Sequence, residues 1–153
     1  MQEIICLLDA SGSMSSCEKD ATGGFNQFLK DQQEIGEAHL TAIWFDNRFE
    51  VFYDDLLSKA EPIPKWKVRG STALYDAICK VFEYTRERFT KESPEKVIFA
   101  ILTDGEENSS EKFTKDDASK LISEHQTKYG WEVVFLGANQ DVWVAAQDLS
   151  INV

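Results

Sequence analysis

The apolar run Ile4-Ile5-Cys6-Leu7-Leu8 passes straight into Asp9-Ala10-Ser11-Gly12-Ser13, so a carboxylate and two hydroxyls stand at alternate positions just beyond a strand. A buried strand leaves its polar end at the rim of a sheet, and a loop that curls there turns alternate side chains toward one point. Three oxygens without nitrogen or sulfur suit a hard cation such as Mg²⁺. The same residues also describe a Ser/Gly-rich turn that does no more than end the strand. Two later segments repeat the theme. Gly70-Ser71-Thr72 stands ahead of a helical pattern, where Thr72 offers a hydroxyl beside the positive helix end, or Ser71 or Thr72 simply caps the helix. Leu102-Thr103-Asp104-Gly105-Glu106-Glu107 sets a second carboxylate behind a second apolar run, with Gly105 permitting the turn, although an acidic surface loop has the same composition. Together Asp9, Ser11, Ser13, Thr72 and Asp104 supply two carboxylates and three hydroxyls.

The intervening elements decide whether these groups meet. After the first strand, Gly23 and Gly24 open a stretch in which Phe25, Phe28, Leu29 and Ile35 recur at helical spacing. Residues 40–46 are β-prone, and Asp46-Asn47-Arg48 reads as a turn into a second β-prone run, Phe49 to Tyr53, giving an antiparallel edge strand. Pro62 and Pro64 impose an irregular loop through Gly70. From Thr72 to Phe89 a helix is expected, with Ala73, Leu74, Ala77, Ile78, Val81 and Phe82 on one stripe. Val97 to Leu102 is continuously apolar, as a central strand covered on both faces must be. Residues 114–128 read as a helix, Trp131 to Leu136 as a buried strand, and Val142 to Leu149 as a short helix. Strands alternating with helices define an α/β fold: a doubly wound, mostly parallel central sheet with one antiparallel edge strand and helices on both faces. Ligands of such sheets sit beyond the carboxyl ends of the strands, where both acid-terminated strands place their acids.

At this point Asp9-x-Ser11-x-Ser13, Thr72 within Gly-Ser-Thr-Ala-Leu-Tyr-Asp-Ala, and Asp104 within Thr-Asp-Gly resemble the metal-ion-dependent adhesion site of von Willebrand factor type A domains. The resemblance spans nearly the whole chain, and three separated motifs in the right order are far more specific than one short pattern. It implies a Rossmann-like, doubly wound sheet of about six strands. It also implies that Ser11, Ser13 and Thr72 ligate the ion, while Asp9 and Asp104 bind it directly or through water. Mg²⁺ is the expected ion, with Mn²⁺ or Ca²⁺ as alternatives, and the expected partner is a protein presenting Asp or Glu to the metal. With two carboxylates nearby, the ion retains attraction for an external anion. In this family one more strand closes the sheet near where Ile151 to Val153 stand, and the last helix moves between open and closed states.

Composition bounds the other readings. The chain of 153 residues is expected to form a single domain, 1–153, with 42% apolar and 28% charged residues, inside the globular range. Sixteen basic against 27 acidic residues give a net charge of −11, which disfavours nucleic acid and anionic membranes as partners. Cys6, Cys17 and Cys79 cannot all pair and show no metal-type spacing, so buried thiols in a reducing compartment are expected. With no signal-like leader and no apolar stretch of spanning length, a cytoplasmic location is expected, and the sequon Asn108-Ser109-Ser110 carries no weight. None of these residues sets the oligomeric state.

Other residues have two readings each. Lys65, Lys67 and Arg69 around Trp66 make either a basic, aromatic recognition loop or a solvated loop with Trp66 tucked against the core. Asp76 either orients a ligand or complements the helix dipole. Glu106 and Glu107 either restrain anionic partners or bind another cation, or form a solvated acidic loop, and His39 and His125 fit no ligand spacing and are expected in surface or capping roles. A non-enzymatic interaction module is the leading reading. The enzyme alternative makes Asp9 a phosphoryl acceptor beside Mg²⁺, yet Ser11 stands where such phosphatases carry a second Asp. Gly-x-Ser-x-Gly, Gly-x-Gly-x-x-Gly and phosphate-loop patterns are absent, which argues against serine hydrolases and nucleotide folds. A third reading makes the chain a structural part of a larger assembly, with the ion serving stability.

Overall fold

The computed structural model describes residues 1–103 and 107–136. Five strands form one sheet in the order β3-β2-β1-β4-β5: β1 Glu3–Asp9, β2 His39–Phe45, β3 Phe49–Leu56, β4 Val97–Leu102 and β5 Glu132–Leu136. All neighbours are parallel except β2 and β3, which form the expected antiparallel edge hairpin. β3 runs to Leu56, past the expected Tyr53, because its alternating exposed and half-buried residues keep pairing along β2 up to His39. Three helices complete the described fold: α1 Glu18–Ile35, α2 Leu74–Lys91 and α3 Lys115–Lys128.

β1 is buried on both faces, and its period-two alternation feeds two separate cores. Ile5 and Leu7 pack with α2 and α3 through Ile78, Val81, Phe82 and Ile122. Ile4, Cys6 and Leu8 pack with α1 through Ala21, Phe25 and Leu29. Helices therefore cover both faces, as expected. α1 begins at Glu18, ahead of the expected Gly23, and both Gly23 and Gly24 lie on its exposed side. The i, i+4 stripe of Ala21, Phe25 and Leu29 holds the helix against the sheet, and Ile35 falls off that stripe and is 74% exposed. α3 starts with a reciprocal capping box between Thr114 and Asp117. The expected helix 142–149 and the expected edge strand at 151–153 lie outside the described residues, as do Asp104, Gly105 and Glu106.

Sheet order identifies the edge at which sheets of this kind place ligands. The chain winds from β1 toward β2 in one direction and from β4 toward β5 in the other, so the switch point lies between the adjacent strands β1 and β4. Asp9 ends the first of these strands, and Thr103 follows the second.

At the opposite end of α3, His125 lies against the rings of Phe82 and Trp131, with centroids 4.1 and 4.8 Å away. Burial pushes its pKa down, against the opposing pull of its Nδ1–H bond to the Leu121 carbonyl at 2.7 Å. The folded state thus binds this proton less readily than the unfolded chain. Its share of stability is complete above about pH 6.5 and declines as pH falls through the lower folded pKa. His125→Phe is expected to flatten the loss of stability between about pH 7 and 5, read as urea midpoints of both proteins. Among the described residues no helix is long and apolar enough to cross a membrane.

Candidate metal edge

Asp9 is fully buried and its carboxylate organises the loop that follows it. Oδ1 accepts the Ser11 backbone N–H at 2.8 Å, an Asx-type turn that reverses the chain at once. Oδ2 accepts the Thr103 hydroxyl at 2.7 Å, across the crevice between β1 and β4. The Asp9 carbonyl accepts the Trp66 indole N–H at 2.7 Å. This turn and a short 3₁₀ segment, Gly12–Cys17, set the hydroxyls of Ser11 and Ser13 side by side, with Oγ atoms 2.9 Å apart. Ser11 is buried and Ser13 half-buried.

Thr72 reaches the same edge through main-chain bonds between loops. Arg69 N–H donates to the Ala10 carbonyl at 2.7 Å, and Gly12 N–H donates to the Gly70 carbonyl at 2.9 Å, tying residues 69–70 to the Asp9 loop. Asn108 then brackets Thr72: its Oδ1 accepts the Thr72 N–H, and its own N–H donates to the Thr72 carbonyl, both at 2.9 Å. Thr72 is buried and caps nothing, because α2 begins two residues later with Ala73 at its N-cap and no side-chain cap bond. The capping alternative is thereby corrected. Thr72 instead belongs to a loop held by its neighbours.

The structure thus brings the loops of Asp9, Ser11, Ser13 and Thr72 to one edge, while Asp104 lies outside the described residues. No cluster of three His, Cys, Asp or Glu side chains suited to a metal occurs among the described residues. The donors here are mostly hydroxyls, so such a cluster is not what this edge offers. Adjacent ligands of an octahedral Mg²⁺ at about 2.0–2.1 Å are separated by about 2.8–3.0 Å. The Ser11 and Ser13 hydroxyls are hydrogen-bonded to each other at 2.9 Å, a separation that is also compatible with that spacing. Sulfur chemistry is disfavoured: burial pushes the Cys6 and Cys79 thiols up to about 12, and all three cysteines are free.

The structure decides between the two readings of several residues, and Asp76 stands in the first turn of α2 as its dipole reading expects. Trp66 is 2% exposed and meets Trp44 edge-on at 4.9 Å, so it is core rather than a recognition surface. Two of its three basic neighbours are engaged: Lys67 pairs with Glu50 at 3.0 Å, and Arg69 pairs with Asp46 at 3.2 Å. Asp76 accepts the backbone N–H groups of Glu111, Lys112 and Phe113 and fastens that loop to α2. Glu107 accepts from Tyr75 N–H and the Ser110 hydroxyl, which makes it a clasp rather than a solvated acid. Sequence reasoning passed over Thr103, Asn108 and Asp46. Asp46 carries the very signal that singled out Asp9, an apolar run ending in an acid.

No protein-family model matches this sequence, and no curated protein matches it. Its architecture does have solved counterparts. The ArnB paralog VWA2 from Sulfolobus acidocaldarius superposes with a TM-score of 0.64 at 20% identity, over 97% of this chain and 39% of that one. A protein described as von Willebrand factor type A from Catenulispora acidiphila gives 0.66 at 14% identity, over 97% and 37%. The N-terminal domains of the type V pili tip protein Mfa5 from Porphyromonas gingivalis give 0.59 at 15% identity, over 76% and 22%. The fold is von Willebrand factor type A-like. The chain spans about two fifths or less of these solved proteins.

Proposed function

We propose that this chain is a protein-interaction module whose grip is a divalent cation held at the β1/β4 edge. Ser11, Ser13 and Thr72 would ligate the ion, with Asp9 and Asp104 holding it directly or through water, and Mg²⁺ suits the oxygen set best. When bound, the ion supplies a local positive charge to an otherwise acidic chain of net charge −11, so an Asp or Glu on a partner protein has a place to dock. The observation that carries this reading is the side-by-side placement of the Ser11 and Ser13 oxygens, 2.9 Å apart, directly after a buried Asp9 at the switch point. Likeness in fold to a pilus tip protein and to other von Willebrand factor type A structures supports an interaction role.

A binder is favoured over an enzyme by the state of Asp9. Both its carboxylate oxygens already accept hydrogen bonds inside a fully buried setting, a poor start for a nucleophile. Calorimetric titration of the chain with Mg²⁺ and Mn²⁺ tests the cation, and capture of partners from the native source with and without chelator tests the grip. Heat of binding and a partner released by chelator are expected. Absence of cation heat overturns the reading, and turnover of an aryl phosphate that is lost in Asp9→Asn would replace it with the phosphohydrolase.

A further inference from the structure

Asp46 closes β2 as Asp9 closes β1, and the two strand ends lie together in the sheet, with Asp9 in register with Phe45. Its carboxylate is fully buried. Arg48 donates to it through its backbone N–H at 2.7 Å and its guanidinium at 2.8 Å, and Arg69 Nε lies 3.2 Å from Oδ2 as an ion pair without hydrogen-bond alignment. Its carbonyl accepts the Ala73 N–H at 3.0 Å. One residue therefore holds both ends of the segment 69–73: Arg69 by charge at its start and Ala73 by the main chain at its finish. Between them Gly70, at φ +30°, lies so close that a Cβ there would collide with the Asp46 carboxylate and the Asn47 side chain. That segment carries Thr72.

We infer that Asp46 is a positioning residue for the metal edge, setting the Thr72 hydroxyl against Ser11 and Ser13 through Arg69, Gly70 and Ala73. The inference rests on the proposed cation binding at that edge. A buried carboxylate balanced by two guanidinium groups places no net negative charge toward an ion, so its contribution is to geometry. Segment 69–73 is also bonded to the Asp9 loop through Arg69 N–H to Ala10 and Gly12 N–H to Gly70. Displacing it disturbs both halves of the donor set.

Charge and position predict opposite results for one variant, which makes the inference testable. Arg69→Gln removes a positive charge near the edge; simple electrostatics then predicts tighter Mn²⁺ binding, and loss of position predicts weaker binding. We expect Arg69→Gln and Asp46→Asn each to weaken Mn²⁺ binding about tenfold or more, the scale set by groups that orient metal ligands. Arg48→Gln, whose residue lies outside the segment and whose backbone N–H still donates to Asp46, is expected to weaken it less than Arg69→Gln does. In chelator, amide exchange at Ala73 should accelerate in Arg69→Gln and Asp46→Asn, and less in Arg48→Gln, which keeps the residue 48 backbone N–H bond to Asp46. If wild type binds no Mn²⁺, the cation reading fails, and the Ala73 exchange rates still decide whether Asp46 orders the segment. If wild type binds and Arg69→Gln binds equally well or better, positioning is overturned. Circular dichroism of each variant establishes folding, and Arg69→Gln decides the matter should Asp46→Asn not fold.

Discussion

Asp9→Ala is expected to remove cation binding and partner capture together, with affinity for Mg²⁺ or Mn²⁺ reduced by about a hundredfold or beyond measurement. The same change has a cost in stability that needs separating from the loss of ligand. The carboxylate accepts from Ser11 N–H and from the Thr103 hydroxyl, and both of those donors are buried. Depriving a buried donor of its acceptor costs about 1–3 kcal/mol, so about 2–5 kcal/mol is expected for Asp9→Ala in chelator, read from urea midpoints. Asp9→Asn separates the effects. Its amide oxygen still accepts from Ser11 N–H, and its NH₂ can donate to the Thr103 oxygen in place of accepting from it. The asparagine variant should therefore keep most of its stability while losing the cation. Equal cation affinity in wild type and Asp9→Asn would remove Asp9 from the site.

Those bonds also explain which parts of the fold were legible in the sequence. Val97 to Leu102 and Ile4 to Leu8 announce themselves because a parallel strand covered on both faces must be apolar throughout, and runs this short that end in turn residues favour a strand over a buried helix. Their acidic ends mark the carboxyl edge of the sheet for an equally local reason. The limits of α1 were less legible: Gly23 and Gly24 look like a helix boundary, and the packing of Ala21, Phe25 and Leu29 overrides their poor propensity. Asn108 was passed over because its partner is distant along the chain, 36 residues away at Thr72, and Asp46 because its bond to Arg48 reads as an ordinary turn while its ties to Arg69 and Ala73 are distant. No local pattern encodes such a bond. Thr72 was identified by its motif, but its alternative as a helix cap was settled by where α2 starts, two residues later.

Trp66 gives the sharpest case, because a tryptophan among Lys65, Lys67 and Arg69 has the composition of a binding loop and the position of a core residue. Its indole spans 57 residues of sequence to donate to the Asp9 carbonyl, and its ring meets Trp44 edge-on, with Trp44 in turn stacked on Phe52 at 5.0 Å. Trp66→Ala is expected to cost about 3–5 kcal/mol, the usual price of emptying a buried aromatic site, out of about 5–15 kcal/mol available to a domain. Trp66→Phe keeps much of the ring packing and removes the donor to Asp9, so about 1–2 kcal/mol is expected. Denaturant midpoints in chelator read both values. A core role further requires that Trp66→Phe hold cations within about threefold of wild type, because that variant leaves the Asp9 carboxylate and both serine hydroxyls in place. A recognition role predicts the reverse pattern: Trp66→Ala folded at nearly wild-type stability, with partner capture gone and cation binding intact. The 2% exposure of Trp66 and its bond to the strand end that carries Asp9 set the expectation firmly on the first pattern.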